Sequence, residues 1–289
     1  FIFSALGVMT LVFSAVIARF YSVGLMFLFL MFMSVFNIGY ILYTYYNSDK
    51  IALSSVSAYK AEGTRYQQLT NVVEEMAIAG GLPKPRVYVM PSKDINAFAT
   101  GRDPQHSVVC ITEGAIEKLN RAELQSVIAH ELTHIRNYDI RFVTFIAVMV
   151  GLVSIMSQMF LRSLWYGSMF GGRGSDRRGG GGGLMIILMI AGVILSILAP
   201  LIVKLVQLAI SRKREYMADA GAVELTRYPQ GLIDALRKIQ ADYAQPTKHT
   251  DVNSAVAPMF LADPSKSRFM ALFETHPPVQ DRIKALEAM

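Results

Sequence analysis

The chain has 289 residues, of which 53% are hydrophobic and 17% charged, with a mean hydropathy of +0.36. That much apolar surface excludes a disordered chain, and a lone cysteine, Cys110, excludes an internal disulfide framework. A net charge of +6 admits nucleic acid or an anionic membrane surface as partners, and nothing beyond the charge supports nucleic acid.

In chain order, the deficit of charge proves to be local. Residues 1–18 form an uncharged run of 18, and Val23–Tyr46 a second of 24, joined only by Arg19–Ser22. About 20 apolar residues in a helix cross a 30 Å hydrocarbon core, so the pair reads as a transmembrane hairpin over 1–46. A polar block, 47–141, follows and reads as mixed α/β. Thr64–Ala79 has helical apolar spacing and stops at Gly80–Gly81, a helix C-terminal signal. Arg86–Met90 and Ser107–Thr112 are short strands rich in β-branched residues, and Ile95–Thr100 is a third candidate strand. Asn120 with Glu123 three residues on is an N-cap pair, opening a helix that extends to about Tyr138.

That helix carries His130-Glu131-Leu132-Thr133-His134, an H-E-x-x-H pattern. Residues four apart share a helix face, so two imidazoles can bind one zinc ion while Glu131 acts as general base toward a water. A catalytic zinc needs a third protein ligand, and the sequence just after the motif offers none, since Asn137 and Ile140 stand where one zinc-protease class places a glycine and a third histidine.

Residues 142–161 and 184–203 are two further uncharged runs of 20, a second hairpin over 142–203 around the glycine-rich loop 162–183, which reads as a solvated linker. The last block, 204–289, is helical in pattern over 204–225, 230–243 and from about Val279. Its first helix carries Glu215 and Asp219, four residues apart. Glu215 is the candidate third ligand, and Asp219, one turn on, can accept an imidazole N–H and set the ring's tautomer. Two crossings separate the polar blocks, so both lie on one side. They hold 11 and 12 of the 28 Lys and Arg residues, which places that side in the cytoplasm, against a counter-signal from Arg162, Arg173, Arg177 and Arg178 in the loop.

Four segments occur together and in order: V-I-A-H-E-L-T-H at Val127–His134, R-E-Y-x-A-D at Arg214–Asp219, N-A-F-A-T-G at Asn96–Gly101 and T-H-P-P at Thr275–Pro278. With the four apolar runs, this arrangement resembles the HtpX family of membrane zinc metalloproteases, relatives of the type-1 CaaX prenyl proteases. The resemblance spans essentially the whole chain. It implies a four-helix membrane bundle carrying a zincin-like (gluzincin) α+β catalytic domain that faces the cytoplasm. It also implies a multi-pass protein of a prokaryotic plasma membrane that degrades misfolded membrane proteins with one Zn2+ per chain.

Position by position, the resemblance makes His130, His134 and Glu215 the zinc ligands and Glu131 the base. Asn96, Ala97, Phe98, Ala99 and Thr100 become a sheet-edge strand that pairs with an extended substrate. His276 becomes a donor to the tetrahedral oxyanion and Arg282 a partner for a site carboxylate such as Asp219. Cys110 reads as a buried small hydrophobe. Two other readings stand beside this one: a CaaX-type processing protease of narrow substrate choice, and a membrane scaffold with a structural zinc.

Overall fold

The structure is a computed structural model that describes residues 23–141, 212–243 and 277–289. The expected spans 1–18, 142–161 and 184–203, the glycine-rich loop, and His276 lie outside the described residues. The chain falls into two compact units, Phe1–Tyr43 with Val148–Val206, and Thr44–Ala147 with Gln207–Met289.

The first described element is helix α1, Val23–Tyr46, whose bounds coincide with the second uncharged run. Counting only fully described positions, no helix is long and apolar enough to cross a membrane. The backbone of α1 itself runs 24 residues without a charge, about 36 Å at 1.5 Å per residue. Phe27, Leu28, Met31, Phe32 and Val35 are each more than half exposed along it.

The second unit is built on a four-stranded sheet of β1 (Tyr59–Lys60), β2 (Arg86–Met90), β3 (Ala97–Gly101) and β4 (Ser107–Thr112), in the order β1-β2-β4-β3. β2 runs parallel to β4, while β1 and β3 are antiparallel to their neighbours. β3 begins two residues later than the sequence pattern suggests because Asn96 does other work. Its backbone N–H donates to Thr112 Oγ1 at 3.0 Å, and its side-chain carbonyl accepts from Ala97 N, also at 3.0 Å.

Side chains alternate across a strand, so the sheet buries two different faces. Val109 and Ile111 of β4, Ala97 and Ala99 of β3 and Val89 of β2 enter the larger core. Val108, Cys110, Phe98 and Met90 point the other way, onto Ala52, Leu53 and Val56 at helix α2, Ser48–Ser55. Neither α2 nor β1 is signalled in the sequence; Ser48–Ser55 has too few apolar residues to show a period. Cys110 is fully buried in the smaller core, and burial pushes its thiol pKa up, so it is inert packing.

The larger core is closed by helices. A 3-10 turn at Thr64–Tyr66 leads into α3, Gln67–Ala79, and α4, Glu113–Lys118, follows β4 directly. Helix α5, Arg121–Arg136, opens with the Asn120–Glu123 capping box and packs on α3, β3 and β4. Helix α6 covers 212–226, and α7, Pro229–Tyr243, packs on α5 and on the terminal helix α8, Val279–Glu287. Leu124, Val127, Ile128, Leu132 and Ile135 anchor α5 in this core.

Candidate active site

The site is made where α5 and α6 meet. The capping box ties down the start of α5: the Asn120 side chain accepts from Glu123 N at 3.0 Å, and Glu123 Oε2 accepts from Asn120 N at 2.8 Å and from Lys238 Nζ at 2.7 Å. Two orphan helix N–H groups are thereby satisfied and the helix phase is fixed. The approach of α6 depends on Gly221, where a Cβ would lie 2.4 Å from Thr133 Cγ2. Thr133 belongs to the H-E-x-x-H run, so the lack of a side chain at 221 lets α6 press against the histidine-bearing helix.

Three side chains converge there. His130 Nε2 and His134 Nε2 are 3.2 Å apart, and Glu215 places Oε2 3.6 Å from the first and Oε1 3.5 Å from the second. Among the described residues these three form the group that could hold a metal ion, with His130 and Glu215 buried and His134 partly so. Tetrahedral zinc with bonds of 2.0–2.1 Å sets two donor nitrogens about 3.3 Å apart. The spacing here matches that demand.

The other ring nitrogens explain why the Nε2 atoms point inward. His134 Nδ1 is 3.0 Å from Asp139 Oδ2, and His130 Nδ1 is 3.0 Å from Asp219 Oδ1. The His130 contact lies off the straight N–H line, and a small ring rotation within the shared burial of the two groups aligns it. Each carboxylate holds the proton on Nδ1 and leaves the Nε2 lone pair facing the common point. Two lone pairs and a carboxylate aimed at one buried point repel each other unless a cation lies between them. The donor set therefore fits a divalent metal with nitrogen and oxygen preferences, zinc foremost.

Without metal, protons take that place. Burial alone would lower both imidazole pKa values. For His130 the hydrogen bonds to Asp219 and Glu215 outweigh it and the pKa is raised. For His134 the hydrogen bonds to Asp139 and Glu215 push it up to about 10. Glu131 is 2% exposed and near enough to raise the pKa of His134 and Arg282 through its charge.

Behind the cluster lies a buried arginine. Arg282 on α8 is 1% exposed and grips Asp219 in a fork, Nε to Oδ2 at 2.9 Å and Nη2 to Oδ1 at 2.6 Å, with Nη1 3.4 Å from Glu215 Oε2. Burial raises the Asp219 pKa, and Arg282 and His130 together more than reverse this, holding the carboxylate below its usual range. The C-terminal helix thus supports α6 from behind.

The sequence reading missed two members, Asp139 and Arg214. Helix α5 stops at Arg136, two residues before the expected end, and Tyr138 takes φ +58, a left-handed turn uncommon for a non-glycine residue. That turn carries Asp139 back to His134, and Arg214 Nη1 stands 3.3 Å from its other oxygen. A lone aspartate just past a helix end gives no periodic signal. Of the remaining expected residues, Ala97–Thr100 lie on β3 at the sheet edge and Asn96 anchors its start, all five buried.

The family model for peptidase family M48 matches residues 63–289. A protease HtpX homolog of Caldanaerobacter subterraneus subsp. tengcongensis is 44% identical over 260 residues, covering 90% of this chain and 84% of the relative. One from Dictyoglomus thermophilum is 43% identical, covering 89% and 80%. Among solved structures, the crystal structure of S. mikatae Ste24p aligns with a TM-score of 0.54 at 21% identity. That alignment covers 97% of this chain but only 62% of that longer one, and it speaks to the fold alone. On these matches and the cluster of His130, His134 and Glu215, the chain belongs to peptidase family M48 and is a metalloprotease.

Proposed function

We propose that this protein is a zinc endopeptidase of a prokaryotic plasma membrane that removes damaged membrane proteins, with both polar blocks in the cytoplasm. The observation that carries the catalytic part is the convergence of His130 Nε2, His134 Nε2 and the Glu215 carboxylate on one buried point. These three would hold the zinc, which when bound supplies Lewis acidity and lowers the pKa of water. Glu131, on the same helix, takes a proton from the attacking water and returns it to the leaving amine. Asp139 and Asp219 keep the two rings in the ligating tautomer, and Arg282 keeps Asp219 charged.

Two further roles belong to this reading. Strand β3 lies at the sheet edge, where main-chain pairing with an extended peptide would be largely indifferent to side chains, as a quality-control protease requires. His276, just ahead of α8, would donate a hydrogen bond to the oxyanion. The membrane part is supported by four uncharged runs of 18, 24, 20 and 20 residues and by the uninterrupted α1.

The test is Glu131→Gln in the full chain. Metal content, by mass spectrometry, stays at one equivalent, and casein cleavage drops at least a hundredfold, within the typical contribution of a general base. Cleavage at the unaltered rate would overturn the assignment. A prenylated peptide assayed beside casein separates this reading from that of a CaaX-type enzyme.

A further inference from the structure

A second polar cleft opens just beyond the C-terminal end of α1. Its volume is about 220 Å3, and its lining includes Tyr46, Asp49, Lys50, Arg86, Arg102 and His106. None of these belongs to the metal cluster. Three permanent cations face one lining carboxylate, and their partners leave much of that charge unused. Arg86 Nη2 binds Asp49 Oδ2 at 2.6 Å. Asp103, which is not among the lining residues, accepts from His106 at 2.7 Å and stands 3.5 Å from Arg102 Nε. Among the described residues, Lys50 makes no ion pair, and no acceptor takes a hydrogen bond from the Arg102 guanidinium.

Arg102 is nevertheless held in place. Its guanidinium carbon lies 5.3 Å from the centre of the Tyr46 ring, and its side chain is only 27% exposed. A half-buried guanidinium steadied by an aromatic ring, with free N–H donors, is arranged to grip an oxyanion in bidentate fashion.

The position says which oxyanion. Tyr40, Tyr43, Tyr45 and Tyr46 cluster at the end of α1, as aromatic residues do at a membrane–water interface. Lys50 follows Tyr46 by only four residues, past the turn at Asn47, which is headgroup depth if α1 spans the bilayer. We propose that this cleft holds the phosphodiester headgroup of an anionic phospholipid, with Lys50 and Arg102 as its principal donors. The site would seat the catalytic unit against the bilayer surface, and it rests on the reading of α1 as a membrane span.

The experiment uses the metal-loaded full chain in neutral detergent, titrated with phosphatidylglycerol or phosphatidylcholine, with bound lipid read by native mass spectrometry. Phosphatidylglycerol is expected to bind preferentially. Lys50→Gln and Arg102→Gln should each weaken that binding about fivefold, and the pair roughly thirtyfold, with metal content unchanged. Lys50→Gln alone, at an exposed side chain, keeps the test open should Arg102→Gln fail to fold. Undiminished preference for phosphatidylglycerol in the variants would overturn the proposal. Equal affinity for soluble glycerol phosphate would overturn the lipid source. Flotation of the full chain with neutral liposomes tests the membrane reading apart from the cleft: failure to float removes both, whereas floating variants that keep the lipid preference refute the cleft alone.

Discussion

Replacing Arg282 with methionine removes a group outside the metal cluster, whose forked contact is to Asp219 and whose Nη1 lies 3.4 Å from Glu215 Oε2, and it should weaken metal binding. In the native protein, Asp219 is 1% exposed and keeps its charge because Arg282 sits on both carboxylate oxygens at 2.9 and 2.6 Å. Without the guanidinium, His130 alone opposes burial, so the Asp219 pKa rises and its carboxylate is more readily protonated. A neutral Asp219 no longer holds the proton on His130 Nδ1, and the ring loses its ligating tautomer. Loss of such outer partners typically costs 10–100-fold in metal affinity. Breaking a buried pair by removing one member also destabilises by about 3–5 kcal/mol.

The Arg282→Met, Asp219→Asn double variant separates the two effects. It removes both charges of the pair, so most of the lost stability should return while metal affinity stays weak. Chelator competition measures the affinity, and thermal unfolding in detergent measures the stability. If Arg282→Met bound metal within twofold of the native protein, the claimed chain from Arg282 through Asp219 to His130 would be wrong.

Three other outcomes are expected. Asp139→Asn should lower metal affinity 10–100-fold through His134, with casein cleavage recovering when zinc is raised in proportion. Gly221→Ala places a Cβ 2.4 Å from Thr133 Cγ2, so unfolding should show a loss of about 1–3 kcal/mol; Thr133→Ala in the same chain should restore part of it, and an unaltered midpoint would sink the packing argument. In metal-free protein the His134 pKa is raised from 6.5 to about 10. A raised folded pKa contributes stability that is fully present below 6.5 and lost as pH rises toward 10. Thermal midpoints of chelator-treated protein should therefore fall across that window, while metal affinity rises with pH as competing protons leave. A flat apo profile would contradict the charge environment drawn around His134.

Features set by short-range rules are legible in the sequence. The capping box reads from Asn120 and Glu123 because its two hydrogen bonds join residues three apart. Strands β2 and β4 fall where their β-branched runs place them, because such residues favour the pleated backbone whether the strand is buried throughout, as β4 is, or only at its end, as β2 is. His130 and His134 share a face by helical period alone. Short elements with mixed composition, such as α2, α4 and β1, are not legible, because they owe their existence to what they pack against.

By itself the sequence determined that His130 and His134 present a two-imidazole face, that Glu215 and Asp219 lie one turn apart, and that charge is absent from four long runs. Those are consequences of local periodicity and composition. Only the tertiary structure decided that Glu215 meets both imidazoles, that Arg282 forks onto Asp219 across 63 residues, and that Asp139 turns back to His134. Such meetings depend on how closely α6 can approach α5 at Gly221 and on the left-handed turn at Tyr138. Neither is a periodic property of the chain. Both are set by steric contact between segments that the sequence keeps apart, or by a dihedral angle the surrounding fold imposes.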